Sequence, residues 1–358
     1  MFDWVPLEYY TALFFYTTLF LVLGVWFKLN KENRLTPSSK VSIVVVWGLI
    51  LYMGLRPISG VYFTDMANYA NAFEKISDGY DVTLNEDIGF DFFIRTCTKI
   101  MTVQMFFLAC ATIYVLPLWY LSKKWFKENW FYAFLMLIGS LSFWAYGTNG
   151  IRNGMATSLF LMGLAFTDRK VVMIVFLVLA CSVHKSMLLP SVAYGLTLIN
   201  NDPKKYFLFW LLAIPLSLAL GSFWENYFAG LGFGDDRMSY LTEGNINDDD
   251  FSNTGFRWDF LIYSATGVFT GYYFIIKKGF QDKIYNHLLN IYLIVNAFWI
   301  LIIRANFSNR FAYLSWFMLG LVIIYPFLKQ KRVTPKLMSK IIVIYIFFSY
   351  LMNVILVK

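Results

Sequence analysis

The chain has 358 residues, of which 59% are hydrophobic, 20% aromatic and only 15% charged. Its mean hydropathy of +0.57 is too high for a soluble globular protein, whose surface needs more polar and charged residues. Its formal net charge is +8, but the basic residues are spread along the chain and form no continuous face for nucleic acid, so we exclude a nucleic-acid partner. The composition predicts an all-α, polytopic integral membrane protein with a single transmembrane domain over 1–358.

Hydropathy predicts the transmembrane helices in chain order. The first apolar run, 9–27, is about as long as one bilayer-spanning helix and follows Asp3 and Glu8 instead of a basic segment. We therefore expect a retained helix and no cleaved signal peptide. The whole pattern predicts about twelve transmembrane helices. They are expected at 9–27, 41–55, 102–121, 130–146, 151–167, 171–184, 186–199, 206–221, 258–276, 286–303, 311–328 and 339–357.

Every second connection between the predicted spans is basic. Together these connections hold nineteen Lys and Arg residues against five Asp and Glu residues, whereas acidic residues predominate on the other side. By the positive-inside rule the basic connections lie in the cytoplasm, which predicts that both termini lie outside. The basic residues are Lys28, Lys31, Arg34, Lys40, Lys123, Lys124, Lys127, Arg169, Lys170, Lys204, Lys205, Lys277, Lys278, Lys283, Lys329, Lys331, Arg332, Lys336 and Lys340.

Two predicted outer loops are long, 56–101 and 222–257. In the first, Tyr69, Phe73 and two further apolar residues recur at helical spacing. This pattern predicts an interfacial helix on the outer leaflet. The second loop is rich in Asp, Gly and Asn without periodicity, which predicts an irregular acidic cover.

Six residues that can carry positive charge break the charge rule, because they fall at the outer ends of predicted spans. An arginine close to the hydrocarbon is costly unless it is paired or faces water. Asp65, Glu225 and Asp259 lie on the same side and could pair with these residues. Alternatively, several arginines at one level of the membrane suit a phosphate or pyrophosphate, which accepts bidentate hydrogen bonds from guanidinium groups. The six are Arg152, His184, Lys185, Arg257, Arg304 and Arg310.

Arg152 has a further feature, its place at the start of the predicted helix 151–167. Unpaired backbone N–H groups and the positive end of the helix dipole favour an anion there and disfavour another cation. Arg152 is therefore predicted to bind an anion. The alternative is packing or ion pairing, because Gly150 and Gly154 would let two helix backbones approach closely.

The candidates for proton transfer are His184 and Asp65. His184 has the pKa class for acid–base chemistry near neutral pH, although a histidine at a helix end is often only a hydrogen-bonded structural residue. Asp65 is interpreted first as the N-cap of the predicted interfacial helix and second as the base. No His, Cys or carboxylate set has convincing metal-ligand spacing, and the run 248–250 is interpreted as solvated charge, so neither a metal nor a cofactor is expected.

Six strings in order resemble one known family. They are TDMANY (64–69), EDIGFDFF (86–93), GIRNGMATSLFLMGLAF (150–166), SVHKSMLLP (182–190), GFRWDFLIYS (255–264) and NFSNRFAYLSW (306–316). Together they resemble the EpsG-like family of Wzy-type polysaccharide polymerases, over most of the chain.

This resemblance implies a GT-C-type glycosyltransferase of the bacterial cytoplasmic membrane. Such an enzyme moves a growing glycan from undecaprenyl pyrophosphate to the non-reducing end of a new undecaprenyl-pyrophosphate-linked repeat unit, on the periplasmic or exterior side. The implied partners are these lipid-linked oligosaccharides, membrane lipid and a chain-length regulator. Compared position by position, Arg152, His184, Arg257 and Arg310 match residues of the family's motifs. Arg304 and Lys185 match them less securely. Asn153 departs from the glutamine that the family often has.

The hypothesis for the reaction is that arginines take the role of a metal. A lipid pyrophosphate gains negative charge as it leaves the anomeric carbon, and preorganised guanidinium groups would stabilise that charge. Arg152 and Arg257 are expected to hold the donor pyrophosphate, with Arg310 and Arg304 holding it or that of the acceptor. An O-antigen ligase, a flippase and a membrane acyltransferase remain alternatives, and the sugar, the linkage and the stereochemistry stay open.

Overall fold

A computed structural model describes residues 5–35, 40–82, 87–230, 255–305, 308–330 and 334–356. Within these residues the chain is helical and has no strand, which confirms the all-α prediction. Six described helices are long and apolar enough to cross a membrane, and three shorter helices are also apolar. The chain is therefore a multi-pass membrane protein, while the number of about twelve spans, the GT-C assignment and the outer position of the termini stay predictions.

The chain divides into two compact units, Met1–Met187 with Lys331–Lys358, and Leu188–Gln330. The first contains α1 (Leu7–Glu32), α2 (Lys40–Gly54), α3 (Thr64–Ser77), α4 (Ile88–Cys97), α5 (Val103–Phe126), α6 (Trp130–Ile138), α7 (Phe143–Thr148), α8 (Ile151–Ala165), α9 (Lys170–Val183) and α16 (Pro335–Leu356). The second contains α10 (Leu188–Ile199), α11 (Pro203–Gly230), α12 (Trp258–Tyr272), α13 (Lys283–Leu301), α14 (Ser308–Trp316) and α15 (Leu319–Lys329).

Each predicted span falls on a helix, but two spans are interrupted. The predicted span 130–146 is divided into α6 and α7, and the predicted span 311–328 into α14 and α15. At the first break, residues 139–142 are Gly, Ser, Leu and Ser, and a Cβ on Gly139 would lie 2.7 Å from the Ile346 side chain of α16. Hydropathy averaged over a whole span does not detect so short a break.

The predicted loop 56–101 forms two helices, α3 and α4. The apolar face predicted for α3 packs on the protein, since Phe73 lies 5.3 Å from the ring of Phe106 and Tyr69 lies 5.3 Å from the ring of Phe90. This packing makes α3 part of the core of the first unit. Of the second predicted loop, 222–230 continues α11 and 231–254 lies outside the described residues.

Aromatic stacking joins α1, α2 and α7. Tyr10 and Tyr52 stack at 4.3 Å, and the hydroxyl of Tyr52 donates a hydrogen bond of 2.8 Å to the carbonyl of Tyr10. Phe14 stacks on Trp144 at 4.4 Å. Such rings bury a large apolar area each, and stacked pairs add about 0.5–1.5 kcal/mol beyond that burial. They hold α7 in place, and α7 leads directly into the start of α8.

Gly154 in the first turn of α8 permits the tight passage from α7. A Cβ on Gly154 would lie 2.6 Å from the carbonyl oxygen of Tyr146 and 3.3 Å from the ring of Tyr114. The close backbone approach expected of this glycine is therefore present.

Gly154→Ala is expected to destabilise the protein by about 1–3 kcal/mol, because the added methyl group meets backbone that must shift. The measurement is thermal unfolding of the purified protein in detergent. Gly48→Ala is the matched control, since a Cβ on Gly48 in helix α2 has no neighbour within 4 Å. Equal unfolding temperatures of the two variants would contradict the packing role.

Candidate functional site

Arg152, the second residue of α8, is held by two side chains from other parts of the first unit. Its Nε donates a hydrogen bond of 2.9 Å to the hydroxyl of Tyr69 on α3. Its Nη1 forms an ion pair of 2.5 Å with Oδ2 of Asp87, just before α4. The Arg152 and Asp87 side chains are 13% and 6% exposed, so this is a buried ion pair whose guanidinium plane is fixed on two sides.

Asp87 also connects Arg152 with the turn after α9. Its second oxygen, Oδ1, accepts a hydrogen bond of 3.0 Å from the backbone N–H of Lys185. One buried carboxylate therefore links the first turn of α8 with the residue that follows His184. Two residues of the predicted site, Arg152 and Lys185, meet through an aspartate that the sequence analysis had quoted in EDIGFDFF but given no role.

His184 lies at the C-terminal end of α9 and is 6% exposed. Its Nδ1 accepts a hydrogen bond of 3.2 Å from the backbone N–H of Ser186. The turn is closed by the backbone N–H of Met187, which donates to the carbonyl of His184 at 3.1 Å. His184 is thus buried and held by its own turn. The next residue, Lys185, donates its backbone N–H to Asp87.

Asp65 lies in the first turn of α3, and its predicted role as an N-cap is wrong. The N-cap position is Phe63, and Asp65 is the second residue of the helix. Asp65 instead lies four residues before Tyr69, which places both on one face of α3. Burial raises the pKa of Tyr69 to about 12, although the positive charge of Arg152 opposes that shift. Tyr69 therefore stays protonated at neutral pH and remains a neutral hydrogen-bond partner of Arg152.

Arg257 and Arg304 of the second unit are placed differently from Arg152. Arg257 pairs with Asp259, with Nε–Oδ1 at 3.0 Å and Nη2–Oδ2 at 2.6 Å, and its guanidinium lies 3.8 Å from the centre of the Phe260 ring. Arg304 is exposed and its Nη2 donates a hydrogen bond of 3.4 Å to the carbonyl of Leu218.

Arg310 is exposed in the first turn of α14. The ion pairing that the sequence offered as an alternative is therefore found for Arg257 with Asp259, and Arg152 pairs with Asp87, a carboxylate that the sequence analysis had not considered. Whether Arg257, Arg304 and Arg310 share a ligand with Arg152 stays a prediction.

Arg56 is a further cation that the sequence analysis passed over. It is 1% exposed, and its guanidinium donates hydrogen bonds to the carbonyl oxygens of Met53 and, at 2.8 Å, Thr148. The ring of Phe63 lies 5.3 Å from the guanidinium carbon. Burial lowers the pKa of Arg56 to about 10, still well above neutral pH, so the group stays charged. Arg56 therefore connects the end of α2 with the end of α7, shortly before Arg152.

The signal for Arg56 was present in the sequence. It follows the apolar run 41–55 by one residue, and so it breaks the charge rule in the same way as Arg152. Among the described residues, no group of three or more His, Cys, Asp or Glu side chains is placed to hold a metal ion. The acidic run 248–250 lies outside them.

Comparison with known protein families gives a match over most of the chain. The model of the EpsG family matches residues 43–358, which include every residue of the candidate site. No curated protein and no solved structure matches the chain.

Proposed function

This chain belongs to the EpsG family, and on that premise we propose that it is a polysaccharide polymerase that uses lipid-pyrophosphate-linked repeat units. Family membership makes it a polymerase-like membrane protein of polysaccharide biosynthesis. The proposal adds the donor and acceptor. The growing glycan is transferred from undecaprenyl pyrophosphate to the non-reducing end of a new undecaprenyl-pyrophosphate-linked unit, at the outer face of the bacterial cytoplasmic membrane.

The observation that carries this proposal is the buried cluster around Arg152. Tyr69 and Asp87 fix Nε and Nη1 of its guanidinium, and Asp87 holds the Lys185 backbone beside it. A fixed guanidinium plane loses little entropy when it forms bidentate hydrogen bonds with a phosphate. The cluster is therefore suited to an anion whose charge grows during the reaction, such as a leaving pyrophosphate.

The reaction assigned to the cluster is displacement at an anomeric carbon. A hydroxyl oxygen of the acceptor sugar bonds to that carbon, and the bond from the carbon to the pyrophosphate oxygen breaks. The hydroxyl proton goes to a base, for which His184 and Asp65 are the candidates. The electron pair leaves with the pyrophosphate, where Arg152 stabilises it in the transition state more than in the ground state. The further candidates for pyrophosphate binding in this proposal are Arg257, Arg310 and Arg304. In this proposal the arginines take the role that a divalent metal ion has in other transferases.

Deletion of the gene is expected to leave single repeat units on surface glycan where the parent strain shows a ladder of polymer. The measurement is gel electrophoresis of extracted glycan, with the wild-type gene restored on a plasmid as the control. Complete loss of surface sugar in the deletion strain would contradict a polymerase. That outcome would favour an O-antigen ligase or a flippase, since either is needed to deliver even one unit.

A further inference from the structure

Tyr69 uses half of its hydrogen-bonding capacity within the described part of the chain. Its hydroxyl oxygen accepts the hydrogen bond of 2.9 Å from Nε of Arg152. A guanidinium N–H can only donate, so this bond occupies a lone pair of the oxygen and leaves the hydroxyl hydrogen unused. Among the described residues that hydrogen has no acceptor. The hydroxyl can therefore donate to a molecule that binds beside Arg152.

Packing within the first unit holds the ring of Tyr69 in place. The ring lies 5.3 Å from that of Phe90 in an edge-to-face arrangement, and Phe90 is buried. Phe90 in turn lies 6.3 Å from the ring of Phe106 in α5. Edge-to-face pairs favour one orientation of the ring. The hydroxyl is thereby fixed 2.9 Å from Nε of Arg152, so an anion bound by this guanidinium also lies within hydrogen-bond reach of Tyr69.

The hydroxyl of Tyr69 is a neutral donor at neutral pH. Burial raises the pKa of Tyr69 to about 12, and an anion beside it would raise that pKa further, because it disfavours a second negative charge. The hydrogen bond from the cationic Arg152 also draws electron density from the hydroxyl oxygen, which makes the hydroxyl a stronger donor. A strong neutral donor next to a cation suits an anionic oxygen.

We propose that Tyr69 is a further ligand of the donor pyrophosphate and donates its hydroxyl hydrogen to an anionic oxygen of that group. This inference rests on the proposed function and adds a neutral hydrogen-bond donor to the arginine. As the bond between the anomeric carbon and the pyrophosphate oxygen breaks, the electron pair moves onto the pyrophosphate and strengthens the hydrogen bond from Tyr69. Tyr69 keeps its own proton and takes none from the acceptor.

The alternative is that Tyr69 only positions Arg152. Tyr69→Phe removes the same hydroxyl in either case, so this substitution alone does not separate the two roles. They differ in a protein that has no Nε at position 152. Arg152→Lys removes Nε but keeps a positive charge, so the buried carboxylate of Asp87 is not left without a cation.

The test combines Tyr69→Phe with Arg152→Lys, singly and together, and uses undecaprenyl pyrophosphate as the probe. Its dissociation constant is measured for the purified full-length proteins in detergent, and kcat is measured for Tyr69→Phe and wild type. We expect Tyr69→Phe to weaken probe binding about tenfold and to lower kcat about 10–100-fold, because the hydrogen bond strengthens in the transition state. We expect Tyr69→Phe to weaken binding by about tenfold in the Arg152→Lys protein as well.

Tyr120→Phe is the matched control. Tyr120 in α5 also packs its ring against a phenylalanine, Phe166 at 5.4 Å, but at the other end of α8 from Arg152. We expect Tyr120→Phe to bind the probe as tightly as wild type does. Thermal unfolding checks that each variant is folded, and Tyr69→Phe keeps the ring that packs on Phe90.

Wild-type affinity and turnover of the Tyr69→Phe protein would overturn the inference. A loss in Tyr69→Phe that disappears in the Arg152→Lys protein would overturn it too, since Tyr69 would then act only through Arg152. An equal loss in Tyr120→Phe would show that the effect is not specific to Tyr69. These three results leave the polymerase standing, whereas a wild-type protein that neither binds the probe nor makes polymer refutes the proposed function and this inference with it.

Discussion

Arg152→Ala is expected to abolish polymer formation. The substitution removes the guanidinium that holds the leaving pyrophosphate, and loss of one such preorganised donor lowers turnover by about 100–1,000-fold. The measurement is the glycan ladder of a deletion strain that carries the variant gene. Arg95→Ala is the matched control, because Arg95 in α4 also pairs with a carboxylate, Asp91, but lies more exposed outside the cluster. A normal ladder from well-expressed Arg152→Ala protein would overturn the assignment.

Instability must be separated from lost chemistry, because Arg152→Ala leaves Asp87 buried and unpaired. Breaking a buried ion pair by removing one partner costs about 3–5 kcal/mol. The double variant Arg152→Ala with Asp87→Asn removes both charges and should recover much of that stability. If Arg152 binds the donor, the double variant is folded and still makes no polymer. Recovery of polymer in the double variant would show that the arginine is only half of a structural ion pair.

Arg56→Ala is expected to be the most destabilising substitution outside the Arg152 cluster. It removes hydrogen bonds to the carbonyls of Met53 and Thr148 and leaves a cavity beside Phe63. Together these losses should reach about 3–5 kcal/mol. The measurement is thermal unfolding in detergent. Arg56→Met, which fills most of the volume without the hydrogen bonds, should fall between wild type and Arg56→Ala.

Arg56→Ala should also reduce polymerisation at temperatures where the protein stays folded. Thr148 is the last residue of α7 and directly precedes the turn into α8, so release of its carbonyl loosens the start of α8, where Arg152 lies. Arg95→Ala again serves as the control. An Arg56→Ala protein as stable and active as Arg95→Ala would contradict this role of Arg56 in holding α2 and α7 together.

The helices could be predicted from the sequence because the length of an apolar segment can be read from the local sequence alone. All predicted spans fall on helices, since a run such as 103–126 is apolar enough to require burial wherever it lies. The break at Gly139 could not be predicted in this way. Residues 139–142 are Gly, Ser, Leu and Ser, and the apolar residues on both sides keep the mean hydropathy of the span high across this short interruption.

The candidate site was predicted only in part. The charge rule identifies Arg152 because an arginine at a helix start is locally anomalous. It cannot identify the partner, since Asp87 lies 65 residues away and looks like any other aspartate of an outer loop. Asp65 was misjudged for a related reason, because its N-cap role required α3 to begin two residues later than it does.

The most direct measurement of the polymerase activity uses purified full-length protein and lipid-pyrophosphate-linked repeat units extracted from the deletion strain. The reaction is followed by electrophoresis of the glycan released from the lipid, for the wild-type protein and for the folded Arg152→Ala, Asp87→Asn double variant. We predict a ladder of increasing length from the wild-type protein and unchanged single units from the double variant. Single units alone from folded wild-type protein would contradict a polymerase, and equal ladders from both proteins would contradict the role of Arg152.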